Sequence, residues 1–111
     1  MDGKPANKLS QFSKKELDTF FSVAKTVKKN QAFTFLIAPT THRFGRILIV
    51  ASRKYGNAPA RNLLKRRLRS IFWEQQLYLK KIDCAVIARP AGKEYDFYSL
   101  KKQLLEIFVS R

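Results

Sequence analysis

The chain has 111 residues, and its 23 Lys or Arg against 8 Asp or Glu give a formal net charge of +15 at pH 7. This length predicts a single domain over residues 1–111, and a hydrophobic content of 45% supports a packed core, which excludes wholesale disorder. One cysteine, Cys84, excludes a disulfide scaffold and a cysteine-based zinc cluster, and no apolar run approaches the length of a membrane span.

A helix is the first predicted element. Ser13 and Glu16 have the spacing of a capping box. Apolar residues recur on one helical face over residues 17–24, so we expect the helix to end near Lys25. Residues 1–8 lack the apolar segment of a secretory signal, and we expect them to be disordered. We therefore expect a cytoplasmic protein.

Two β-strands are predicted next. Residues 32–38 and 45–51 are rich in β-branched and aromatic side chains, and the turn signals between them at residues 39–42 favour a hairpin. The polar residues 26–29 are a candidate for a short additional edge strand. Residues 55–59 then break the pattern with Gly and Pro, which indicates a sharp turn before the next element.

A long helix is predicted over residues 58–79, with Asn57 as its N-cap. Residues 83–89 form a continuous apolar run typical of a buried strand, and Asp96 is placed to cap a closing helix. This order of elements predicts an α+β fold: a two-layer α/β sandwich of about four strands and three helices.

The charge is segregated along the chain. No acidic residue occurs between Asp18 and Glu74, whereas that stretch holds twelve cations. The positive charges of such a surface repel one another unless a partner neutralises them, and nucleic-acid phosphates are the usual partner. The alternative is a basic surface that serves only solubility. The cations are Lys25, Lys28, Lys29, Arg43, Arg46, Arg53, Lys54, Arg61, Lys65, Arg66, Arg67 and Arg69.

The second helix has two distinct sides on a helical wheel. Its apolar arc, which we expect to pack on the sheet, holds Leu64, Leu68, Ile71 and Phe72. The adjacent arc holds Arg61, Asn62, Lys65, Arg66 and Arg69. These side chains predict a rigid phosphate-binding ridge, because guanidinium groups donate in pairs to phosphate oxygens. A solvated amphipathic helix without a ligand is the alternative.

Several motifs around this helix resemble one family. Residues 46–54 are followed by Gly-Asn-Ala at 56–58, then by Arg61-Asn62 and the cations after them, and later by Asp83 and Ile-Ala-Arg at 87–89. Together they resemble the protein subunit of bacterial ribonuclease P over residues 9–109. The resemblance implies a four-stranded sheet with a left-handed β-α-β crossover. It also implies a partnership with a catalytic RNA that frees the 5′ end of tRNA from its precursor.

The resemblance also implies roles for individual residues. Hydrolysis would be carried out by the RNA with Mg²⁺, so the protein would hold no catalytic residue and no metal site, and neither a membrane nor a small-molecule substrate is expected. RNA-binding positions would be Arg46, Ser52, Arg53, Lys54, Asn57, Arg61, Asn62, Lys65, Arg66 and Arg69. The 5′ leader of precursor tRNA would contact Leu17, Phe21, Phe33 and Phe35.

Some features leave alternatives open. The family usually has Arg-Asn-Arg where this chain has Arg61-Asn62-Leu63, so Leu63 takes the place of the second arginine. Arg67 is a candidate for replacing that charge. For any single phenylalanine, core packing is favoured over contact with RNA. His42 has no carboxylate near it in the sequence and fits a surface turn. A ribosomal protein of similar fold, or a nuclease acting without RNA, would also bind RNA, although no helix face here pairs the carboxylates of a two-metal nuclease.

Overall fold

The computed structural model describes residues 12–109, so the expectation for residues 1–8 lies outside the described residues. Helix α1 (Lys14–Val23) begins as predicted, and both bonds of the capping box form. Ser13 Oγ accepts from the backbone N–H of Glu16 at 3.1 Å, and the Glu16 carboxylate accepts from the N–H of Ser13 at 2.9 Å. The helix ends at Val23 because Lys25 already begins the first strand.

Four strands form one mixed sheet in the order β1-β2-β4-β3. They are β1 (Lys25–Lys29), β2 (Phe33–Pro39), β3 (Ile47–Ala51) and β4 (Ile82–Ala88). The pairs β1–β2 and β2–β4 are antiparallel, and β3–β4 is parallel. The polar edge strand predicted at residues 26–29 is therefore confirmed as β1.

The predicted hairpin between β2 and β3 is wrong. The antiparallel neighbour of β2 on that side is β4, and β3 lies beyond it. Because Cys84, Ala85 and Val86 are completely buried, β4 suits the interior of the sheet, with a strand on each side. Nearness in sequence favours a β2–β3 pair, but β4 is the most buried of the four strands and lies between them.

Two further helices complete the described part of the chain. Helix α2 (Ala58–Glu74) starts at Asn57, whose side-chain oxygen accepts from the N–H of Ala60 at 3.0 Å. It stops earlier than residue 79 because Gln76 adopts a positive φ of 54°, after which residues 77–80 form a 3-10 turn. Helix α3 (Phe97–Phe108) starts at Asp96, which caps the N–H of Ser99 as predicted.

The helices cover the two faces of the sheet unequally. Helices α2 and α3 bury the odd-numbered side chains of β2 and β3, with the even-numbered ones of β4, in the main core. On the opposite face α1 is the one helix within residues 12–109, and its Phe20 packs on Ala38 and Ala85. The α+β fold with four strands and three helices is therefore confirmed, with α1 on the face opposite the other two helices. The left hand of the β3-α2-β4 crossover stays a prediction.

Candidate RNA-binding surfaces

Helix α2 presents the predicted cationic ridge. Its apolar residues Leu64, Leu68, Ile71 and Phe72 are each at most 2% exposed, which fixes the rotation of the helix on the sheet. The α2 ridge consists of Arg61, Asn62, Lys65, Arg66 and Arg69. Asn62, Arg66 and Arg69 are exposed, and Arg61 and Lys65 are half-buried, as expected for long stems that lie along apolar surface with their charges in water.

The ridge carries charge that the described part of the chain does not neutralise. Within residues 12–109, no acidic side chain forms an ion pair with any of the four ridge cations. Like charges four residues apart destabilise a helix slightly, so this arrangement is stabilised when a polyanion binds. The ridge can therefore hold a row of phosphates in a fixed geometry.

The turn before α2 extends this basic surface. Ser52, Arg53 and Lys54 are exposed, and the turn is anchored by Tyr55, which is 4% exposed and donates its N–H to the carbonyl of Ser52 at 3.0 Å. Asn57 is exposed too, but its side-chain oxygen already caps α2. Only the amide N–H₂ of Asn57 is therefore left to donate to a ligand.

Leu63 and Arg67 lie on the other flank of α2, and both are half-buried. The pKa of Asp96 is lowered chiefly by hydrogen bonds from Ser99, with a smaller Coulomb contribution from Arg67. Arg67 therefore lies beside the N-terminus of α3, where it favours the capping carboxylate. It does not extend the α2 ridge.

Arg46, predicted to bind RNA, is instead 5% exposed and held by two carboxylates. Its Nη2 donates to Asp83 Oδ2 at 3.0 Å, and its backbone N–H donates to Asp83 Oδ1 at 2.9 Å. Its Nη1 lies 3.2 Å from Glu16 Oε2, and the Phe12 ring lies 4.0 Å from its guanidinium carbon. Because these contacts enclose the guanidinium, Arg46 is a structural residue in the folded chain, and its assignment to the RNA-binding surface is corrected.

Glu16 connects this pair to His42. Its carboxylate also contacts His42 Nε2. The hydrogen bond from the Ser13 backbone, the contact with His42 and the charge of Arg46 together lower the pKa of Glu16 to about 2, so Glu16 is ionised at neutral pH. We call Glu16, His42, Arg46 and Asp83 the Arg46 network. Sequence reasoning missed it because Glu16 and His42 are 26 positions apart.

The structure corrects two of the predicted leader contacts. Phe33 and Phe35 are 0% and 1% exposed, and both pack in the main core. Successive side chains of a strand point to opposite faces, so their neighbours Thr34 and Leu36 lie on the face that carries α1. An RNA base cannot stack on Phe33 or Phe35 without opening the core.

The face that carries α1 offers other apolar side chains. Phe21 on α1 is 45% exposed, its ring lying 5.1 Å from that of Phe20, and Leu17 is half-buried. The apolar strand side chains on this face that α1 leaves wholly or partly accessible are Leu36, Leu48, Val50 and Ile87. We call these six residues the open sheet face. The missed signal was the two-residue alternation in β2, which identifies a set of side chains but not the face that the helices cover.

A small cavity of about 180 Å³ adjoins this face, between α1 and one end of the sheet. It is lined on one side by Thr19, Phe20 and Val23 and on the other by Pro39, Arg46 and Asp83. Three members of the Arg46 network, Glu16, Arg46 and Asp83, therefore line the space between α1 and the sheet.

Residues 12–109 contain neither a membrane-spanning helix nor a cluster of metal ligands. None of the helices there is both long and apolar enough to cross a membrane. No group of three His, Cys, Asp or Glu side chains in that range is arranged to hold a metal ion.

The chain is similar to proteins of one family. Residues 7–110 match the family model described as Ribonuclease P. A ribonuclease P protein component from Streptococcus agalactiae is 34% identical over 95 residues, which is 86% of each chain. One from Streptococcus equi subsp. equi is 31% identical over 90 residues, covering 81% of this chain and 75% of that protein.

Solved structures agree with these matches. The ribonuclease P protein from Thermotoga maritima superposes with a TM-score of 0.74 at 28% identity, covering 88% of this chain and 93% of that one. The Staphylococcus aureus protein gives a TM-score of 0.75 over 90% of this chain and 92% of that one. Its identity of 23% shows the shared fold alone.

Proposed function

The chain belongs to the ribonuclease P protein family, and from that premise we propose how its two surfaces share the binding of RNA. As a protein component of ribonuclease P it is a partner of ribonuclease P RNA and takes part in tRNA processing. We propose that the α2 ridge, with Ser52, Arg53 and Lys54, binds the ribonuclease P RNA. The open sheet face binds the 5′ leader of precursor tRNA.

One observation carries the first assignment: the ridge cations have no acidic partner among residues 12–109. From Arg61 to Arg69 the ridge is about 12 Å long at the rise of an α-helix. Because the buried side of α2 prevents it from rotating, the backbone that carries the ridge side chains is fixed before RNA arrives, so only the side chains lose freedom on binding. Each phosphate contact also releases counterions.

The second assignment rests on the chemistry of the open sheet face. Phe21, Leu36 and Val50 present aromatic and aliphatic surface, which can pack against the faces of bases. Stacking needs no base-specific hydrogen bond, so such a surface accepts leaders of varied sequence. Phe21 and Leu17 remain from the predicted leader contacts, and Leu36, Leu48, Val50 and Ile87 replace Phe33 and Phe35.

We further propose that the RNA subunit, with Mg²⁺, carries out the hydrolysis. The α2 ridge repels divalent cations and does not fit a magnesium site, so we expect the metal to be bound mainly by the RNA. The contribution of the chain is to neutralise phosphates where the two RNAs meet and to hold the leader. Both effects lower the concentration of Mg²⁺ needed to bring substrate and ribozyme together.

Reconstitution tests this function. The pure chain is mixed with a bacterial ribonuclease P RNA at low Mg²⁺, and cleavage of a precursor tRNA at its 5′ end is followed. We expect faster processing than with the RNA alone and no cleavage by the chain without RNA. Unchanged processing would contradict the proposal, and co-sedimentation with ribosomes instead would favour a ribosomal protein.

A further inference from the structure

The Arg46 network connects helix α1 to the sheet beside the open sheet face. Asp83 belongs to β4, Arg46 immediately precedes β3, and Glu16 belongs to α1. The Arg46–Asp83 half is fixed within the sheet. Both side chains are nearly buried, and the carbonyl of Arg46 accepts from the N–H of Cys84 at 2.8 Å. The Glu16 carboxylate therefore links the helix to a rigid point of the sheet.

Helix α1 has few other attachments to the sheet. Phe20 is its one fully buried residue, in a small cluster with Ala38 and Ala85. The cap residue Ala24 packs on this cluster and leads straight into β1, so α1 is anchored in its C-terminal half but not at its start. The contact from Glu16 to Arg46 lies four residues before Phe20, roughly 6 Å along the axis, and supplies a second point near the start of the helix. Two points fix the direction of α1 across the sheet.

The direction of α1 sets the positions of Leu17 and Phe21. Both belong to the same two turns of helix as Glu16 and Phe20. We propose that Glu16 and Arg46 are positioning residues for the leader: their ion pair holds α1 at the angle that places Phe21 and Leu17 over the sheet. This inference rests on the proposed function of the open sheet face. It assigns to Arg46 a role without RNA contact.

The variant Glu16→Gln tests the ion pair with little effect on the helix itself. Gln at this position still accepts the Ser13 N–H in a capping box, so the start of α1 is kept. The amide N–H₂ then faces the guanidinium of Arg46, donor against donor. Removing the Arg46 side chain instead would leave the buried Asp83 carboxylate without its cation, which destabilises a protein severely.

Two matched variants isolate the effect. Glu106→Gln removes the same charge from another ion pair, in which Glu106 lies 2.7 Å from Lys28 on the far side of the sheet. Ser13→Ala weakens the cap of α1 but leaves Glu16 and Arg46 in place. The first controls for net charge, and the second controls for fraying of the helix.

The experiment measures precursor and mature tRNA binding by the reconstituted holoenzyme, with leaders of decreasing length. We expect Glu16→Gln to reduce the preference for precursor by roughly two- to fivefold, in line with a partly exposed ion pair. This loss of preference should shrink as the leader is shortened. The variant should raise KM for the precursor and leave kcat unchanged. Glu106→Gln and Ser13→Ala should keep the wild-type preference.

The outcomes separate the two proposals. A wild-type holoenzyme without any preference for precursor would overturn the proposed leader site itself. If Glu16→Gln keeps the wild-type preference for precursor, the positioning role alone is overturned. The same holds if Ser13→Ala loses as much of that preference as Glu16→Gln does.

Discussion

At the scale of single residues, exposure separates phenylalanines that sequence alone treats alike. Phe33 and Phe35 fill the core, whereas Phe21 is 45% exposed on the face that we assign to the leader. The same criterion separates the arginines: Arg46 is enclosed by carboxylates, and Arg66 is exposed on α2. Residue type therefore indicates which chemistry is available, and exposure decides whether an RNA can reach it.

Phe21→Ala should weaken binding of leader-bearing precursor more than binding of mature tRNA. One stacked base is worth about 1–3 kcal/mol, which corresponds to a loss of roughly five- to 150-fold for precursor if the ring stacks fully. Filter binding with both tRNAs measures it. Tyr98→Ala is the matched control, because Tyr98 is a 78% exposed aromatic residue on α3. Equal losses for precursor and mature tRNA would mean that Phe21 serves packing only.

At the scale of elements, α2 combines two functions through its two sides. The apolar side packs on the core, with the Phe72 ring 6.0 Å from that of Phe108 on α3, and the cationic side faces solvent. The 3.6-residue period encodes both sides in 17 residues. The helix therefore presents its charges on a rigid support, which a flexible basic tail would not provide.

The double variant Arg61→Ala/Arg66→Ala should bind ribonuclease P RNA more weakly and with a shallower salt dependence. Each lost phosphate contact lowers the slope of log K against log [salt] by about 0.7–0.9, so we expect a decrease of about 1.4–1.8. Lys101→Ala/Lys102→Ala removes two charges from α3 and should leave the slope nearly unchanged. A double α2 variant with the wild-type slope would exclude the ridge from the interface.

At the scale of the whole molecule, the sheet has one thickly covered face and one thinly covered face. Helices α2 and α3 close the main core around fully buried side chains such as Phe72 and Leu104. In the described part of the chain, the opposite face has a single helix and a small apolar cluster. Most of the buried core therefore lies on one side of the sheet, and the other side is accessible to a ligand.

The reactivity of Cys84 measures how well α2 and α3 protect the main core, in which it lies. It is completely buried, and burial, with a smaller effect of the Asp83 charge, raises the pKa of its thiol to about 12. We therefore expect no reaction with iodoacetamide at pH 8 except through global unfolding. Mass spectrometry measures this, and Phe72→Ala, which should cost about 3–5 kcal/mol, should speed the labelling. Alkylation of the native protein at the rate of a free thiol would contradict it.

The sequence by itself determined the features that depend on neighbours within about four positions. The capping box of α1, the caps at Asn57 and Asp96 and the two sides of α2 follow from local hydrogen bonds and helical periodicity, and the structure has all of them. The family resemblance also follows from short motifs around α2.

Only the tertiary structure decided which residues meet across the sheet. The insertion of β4 between β2 and β3, the face to which Phe33 and Phe35 point, and the pairing of Arg46 with Asp83, 37 positions away, all depend on contacts between distant segments. A strand pattern specifies two alternating sets of side chains with equal clarity, but the packing of α2 and α3 against one set leaves the other for α1 and for a ligand.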